Sequence, residues 1–153
     1  LPLVHPFRQA AEGLQSPPLR VDVTLAPIEI ALRVEERAFG KTRDQAVLAP
    51  AIKQALQRAN VKILAPDADA DMVLTVQADA RPGGSGQGFT TVYADVVGTV
   101  TDRQGETLFT QTLTRIKGIQ LDLPRATDAA YGKASESVST EFVPALIRLW
   151  HGF

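Results

Sequence analysis

"TTVYADVVGTVTDRQGETLFTQTLTRIKG", residues 90–118, decides the fold. In its first part Val92, Ala94, Val96, Gly98 and Val100 fall on one side. Period-two alternation of small and β-branched residues is the signature of a half-buried strand. "DRQG" at 102–105 follows as a short hairpin turn, with Gly105 available for a positive φ. "ETLFTQTLTRIKG", 106–118, then returns as the partner strand. Two strands joined by so short a turn must be antiparallel neighbours. Tyr93 and Phe109, with Val97 and Leu113, are expected on the sheet face away from any helix. There they form either a satellite of the core under the N-terminal arm or a partner-binding patch.

Working outward, "MVLTVQADA" at 72–80 reads as another strand, with Met72, Leu74, Val76 and Ala78 aligned. "VKIL" at 61–64 is a short strand, and "RPGGSGQG" at 81–88 reads as a flexible connecting loop. "TRDQAVLAPAIKQALQRAN", 42–60, is the first helix. Thr42 followed by Gln45 fits a capping box. Pro50 suits the first turn of the main helix, leaving 43–48 as a separate turn. Asn60 is the expected stop. Upstream, Ile28, Ile30, Leu32 and Val34 share one face of a strand, and "RVDVTL" (20–25) alternates in the same way beyond a break at Ala26-Pro27.

Downstream, Ala126, Ala130, Ala134, Val138, Phe142, Ala145 and Leu149 recur at helical steps. They predict a long helix from about Leu123 to Leu149, capped by Asp122 and kinked by Pro144. The class is therefore α+β: a mainly antiparallel sheet of five to six strands with two amphipathic helices on one face. Residues 20–153 form a single domain. Residues 1–19, with Pro2, Pro6, Pro17 and Pro18, form an arm or linker.

The 153-residue chain is long enough for one core, and 44% hydrophobic with 22% charged residues is a globular balance. Sixteen basic and 17 acidic residues give a net charge of −1, which supplies no overall field for nucleic acid or an anionic membrane. The absence of cysteine removes disulfides, thiol catalysis and zinc–thiolate sites. No apolar run reaches the ~18 residues that a spanning helix needs, so this segment is not expected to insert directly into a membrane. The start at Leu1 reads as a processed or trimmed chain, with any signal peptide or lipid anchor expected upstream.

Chemistry is sparse. "PDADADM" (66–72) spaces Asp67, Asp69 and Asp71 like calcium-loop carboxylates. Such a loop needs Gly at position 6 and Glu at position 12, where this chain has Met72 and Ala78. "GGSGQG" (83–88) lacks both the dinucleotide spacing and the helix that a phosphate loop requires. His5 and His151 sit in no motif, and no serine has a nucleophile-elbow context. No catalytic, cofactor-binding or metal residue is assigned, no cofactor is expected, and the chain is read as a non-enzyme.

Three stretches carry a resemblance: "ALQRANVKILAPDADADMVLTVQADAR", "VVGTVTDRQGETLFTQTLTRIKGIQLD" and "ATDAAYGKASESVSTEFVPAL". Their order is similar to that in small α+β domains of bacterial envelope proteins and lipoproteins. The group includes the TolB N-terminal domain, CsgG-like domains and, more loosely, LptE. The likeness covers about residues 40–148 and rests on pattern; the proline-rich start lies outside it. It implies a non-enzymatic protein-binding or assembly module in the periplasm or at the outer membrane. The partner would be another envelope protein or a second copy of the chain. The rival reading is a small-ligand or cation-binding domain using Asp67, Asp69 and Asp71 beside the 81–88 loop.

Overall fold

A computed structural model of the chain describes residues 28–151. The expected arm (1–19), the expected strand at 20–25 and His5 lie outside the described residues. The rest is an α+β domain with one mixed sheet and its helices on one side. Strands β1 (Glu29–Ala38), β2 (Lys41–Thr42), β3 (Lys62–Leu64), β4 (Met72–Gly86), β5 (Phe89–Asp102) and β6 (Thr107–Gln120) make that sheet. Helix α1 (Leu48–Arg58) lies between β2 and β3. After β6 come α2 (Leu123–Ser137), one π-helical stretch (Val138–Phe142) and α3 (Val143–Trp150), joined end to end.

The strand order is β2-β1-β4-β5-β6, with β3 beside the first residues of β1. β4, β5 and β6 run antiparallel, whereas β1 is parallel to β4 and to β3. The sheet is thus mostly antiparallel, and β1 adds its parallel part through the α1 crossover. Alternation dictates the faces. Leu74, Val76, Ala78 and Ala80 of β4 and Val92, Ala94, Val96 and Val100 of β5 are all buried on the helix side. Against them pack Leu48, Ile52 and Leu56 of α1 and Ala126, Ala130, Ala134, Val138, Phe142 and Leu146 of the C-terminal helices.

That last series advances by four residues at every step. An α-helix has 3.6 residues per turn, so a strict four-residue spacing would walk off the core within a few turns. The wide turn at Val138–Phe142, closed by the Val143 N–H bonding to the Val138 carbonyl, resets the phase. Pro144 follows within the first turn of α3. Hence Val143 and Leu146 are buried, and the expected Leu149 is exposed. Asp122 caps α2 as its sequence position suggests, accepting from the Arg125 N–H at 2.8 Å.

The expected capping box at Thr42 and Gln45 does not form: Thr42 lies in β2, and α1 starts at Leu48 with no local side-chain cap. Glu36 of β1, on the helix face and only 6% exposed, takes that role. Its carboxylate accepts from the Val47 N–H at 2.8 Å and from the Ala49 N–H at 3.3 Å. Negative charge there also meets the positive end of the helix dipole. Arg43 lies beside it, with Nη1 4.0 Å from Glu36 and Nη2 2.8 Å from Asp128. The Arg43 guanidinium sits 4.1 Å above the Tyr131 ring, and the Tyr131 hydroxyl donates to the Arg37 carbonyl. This knot ties β1, α1 and α2 together.

Tyr131 is fully buried, and burial is the main reason its phenol is pushed up to about 12, against the opposing pull of Arg43. The unfolded chain releases that proton near pH 10 and the folded one near 12. The stabilisation is therefore complete below pH 10 and is lost as pH rises to 12. We expect unfolding free energy to drop by about 2 kcal/mol across that window. Tyr131→Phe should flatten this part of the pH profile. An equally steep profile in the variant would show that another group is responsible.

Candidate functional site

Among the described residues, one face of the sheet carries no helix. Register places Arg33, Glu35 and Arg37 of β1, Val73, Thr75, Gln77, Asp79 and Arg81 of β4, and Thr91, Tyr93, Asp95, Val97 and Thr99 of β5 on it. Tyr93 and Val97 are therefore on the outer face, as their spacing suggests. Phe109 and Leu113 are not: they pair with Val100 and Val96 on the helix side, and the Phe109 ring packs 5.8 Å from that of Phe142. Bulges between Ala94 and Val96 and between Val100 and Thr101 set this register.

β6 forms one edge of the sheet, and among the described residues no strand pairs with its far side. Between its two bulges, Phe109–Leu113 runs in unbroken register with β5. Thr110 and Thr112 are exposed there, with Phe109, Gln111 and Leu113 half-buried. An edge of this kind presents unpaired N–H and C=O groups at strand spacing.

The residues expected to form a loop at 81–88 are mostly strand. β4 continues to Gly86, and the reversal is confined to Gln87 and Gly88, whose φ values of 55° and 80° suit a two-residue hairpin turn. Gly83 sits in a bulge, and a Cβ there would stand 2.6 Å from the Tyr93 ring. Arg81 and Arg115 flank the same ring, at 5.3 and 5.2 Å from its centroid. Asp95 binds Arg81 Nε at 3.0 Å and the Arg115 N–H at 2.8 Å. Below this group, a shallow cavity of about 300 Å³ opens between Glu35, Arg37, Gln77, Asp79 and Asp95.

Asp67, Asp69 and Asp71 lie in the β3–β4 loop at the other end of β4. Nine residues of strand, Met72–Ala80, lie between Asp71 and Arg81, a span of about 30 Å at the usual rise. The acidic segment therefore does not adjoin the 81–88 hairpin. Arg103, from the β5–β6 turn, reaches Asp71 at 3.0 Å and Asp69 at 3.8 Å. Among the described residues no three acidic or histidine side chains converge as metal ligands. The turn itself matches expectation: Gly105 has φ 81°, and Asp102 accepts from the N–H groups of Gln104 and Glu106.

No protein-family model matches the chain, and no curated protein sequence does. Solved structures do. A minor lipoprotein from Acinetobacter baumannii aligns over 79% of this chain and 94% of its own, at 19% identity and a TM-score of 0.51. The fold resembles that of a bacterial lipoprotein. A Xanthomonas campestris protein of the DUF330 family aligns over 80% of this chain and 85% of its own, at 13% identity and TM-score 0.53. A Helicobacter pylori homolog of a neuraminyllactose-binding hemagglutinin aligns over 78% and 85%, at 8% identity and TM-score 0.51. Identities this low speak for shared architecture alone. Among the described residues no helix is long and apolar enough to cross a membrane.

Proposed function

We propose that this chain is a non-enzymatic protein-binding or assembly domain of a bacterial cell-envelope protein, working in the periplasm or at the outer membrane. Its nearer kin would be the TolB N-terminal, CsgG-like and LptE-like domains. The observation that carries the reading is the β6 edge beside a sheet face that no helix covers among the described residues. Strand addition at such an edge draws affinity from backbone hydrogen bonds and specificity from alternate side chains. The lipoprotein-like architecture supports the envelope setting. The partner is another envelope protein or a second copy of the chain, and the edge offers it the stretch from Phe109 to Leu113.

A photo-crosslinking residue at Thr112, introduced into the full-length protein in its own cells, tests this. The expected result is a discrete adduct with an envelope protein or with the chain itself. The same residue at Lys53, on the exposed side of α1, should give none. Adducts confined to cytosolic proteins, or equal labelling from both positions, would overturn the proposal.

A further inference from the structure

The charge balance of −1 conceals an uneven distribution. At the end of the sheet marked by the Gln87–Gly88 turn, the outer face carries Arg81, Tyr93 and Lys117, the last two being register partners. Arg115 stands over the same Tyr93 ring. One step further Ile119 opposes Thr91, Phe89 begins β5 on the same face, and Leu121 follows directly after the end of β6. Phe89, Ile119 and Leu121 are 50%, 44% and 62% exposed. From Arg81 to the tip, the outer face of these strands holds three cations and no carboxylate; Asp95, already bound to Arg81, marks the lower rim. The opposite end of the domain holds Asp67, Asp69, Asp71, Asp102 and Glu106, with Arg103 paired to Asp69 and Asp71.

We infer that this tip of the bare sheet face docks on an anionic lipid surface, with Phe89, Ile119 and Leu121 entering the headgroup boundary and Arg81, Arg115 and Lys117 meeting the phosphates. Exposed apolar side chains next to lysine and arginine match that boundary, where acyl carbon and anionic headgroups adjoin. Tyrosine is at home there because one end of its ring is apolar and the other polar. The acidic far end is repelled by the same surface, which orients the domain with this tip inward. The inference is independent of the β6 edge, whose regular stretch lies further down the sheet and stays accessible in this orientation.

Co-sedimentation of the full chain with vesicles tests it. Vesicles of phosphatidylcholine with about one third phosphatidylglycerol should retain at least about tenfold more protein than phosphatidylcholine alone. Retention should collapse in about 0.5 M salt, where screening shortens the reach of each charge. K117E should weaken retention on anionic vesicles, and F89S/I119S should lower it at least about fivefold. L108S removes an equally exposed leucine at the far end of β6 and should change nothing. Thermal melts show that each variant is folded; should F89S/I119S melt early, K117E decides. Equal retention on both vesicle types, indifference to K117E, or an equal loss in L108S would overturn the inference. Competition by soluble glycerol phosphate would also overturn it, because the tip would then bind a free anion rather than a surface.

Discussion

Glu36→Ala should destabilise the domain by about 3–5 kcal/mol in urea unfolding, the largest single effect expected here. The change removes the acceptor that satisfies the Val47 and Ala49 N–H groups, leaving the first turn of α1 without a cap. It also strips Arg43 of the carboxylate beside its Nη1, while the Arg43 side chain stays about nine-tenths buried. Asp128 still holds the Arg43 Nη2, so the cost combines a weakened buried pairing with two N–H groups left without an acceptor, and such combined losses are among the few point changes that reach this magnitude. Glu36→Gln keeps an acceptor oxygen but not the charge, and should fall between alanine and the native protein. A loss under about 1 kcal/mol for alanine would mean that the knot is more hydrated than its burial indicates.

Gly118→Val should cost about 3 kcal/mol or more, for a different reason. β6 passes directly beneath α2 at Gly118. A Cβ there would meet the Ala126 carbonyl oxygen at 2.3 Å and the Ala130 nitrogen at 2.4 Å. Both are helix backbone atoms, so no side chain can swing aside, and the helix itself must lift off Val92 and Ala94. Gly86→Ala is the control, because nothing stands within 4 Å of a Cβ at that position. The contrast should be visible in thermal melts of the two variants. Similar melting temperatures would contradict the packing described for α2.

Much of this architecture was legible in the sequence because alternation is a direct consequence of the pleat. Val92 to Val100 have only one way to bury every second side chain, and they do so. The 81–88 segment hid its strand for the same reason. Pro82 and four glycines offer no alternating side chains, so a long hairpin reads like a connector. The facing of Phe109 and Leu113 depended on two bulges, which move register by one residue and leave little local signal. The change of phase at Val138–Phe142 is partly visible in retrospect. A four-residue repeat maintained from Ala126 to Leu146 is longer than an ideal helix sustains.

The cap on α1 was beyond local reading, because its acceptor comes from another element. A glutamate on the apolar face of a strand was the available clue: Glu36 follows Ile30, Leu32 and Val34 in register, where a hydrophobic residue belongs. A charge at such a position signals a partner waiting inside. In the acidic 67–71 segment, Asp69 and Asp71 pair with Arg103 from the β5–β6 turn. The site proposed here rests on placement, since the exposed edge and the cationic tip exist only once β6 is known to be last in the sheet.

The most direct test of the envelope assignment is mass spectrometry of the native protein's N-terminus, combined with fractionation of the cells that make it. The expected result is a signal-cleaved or lipid-modified start in the membrane or periplasmic fraction. An unprocessed start in the cytosol would contradict it.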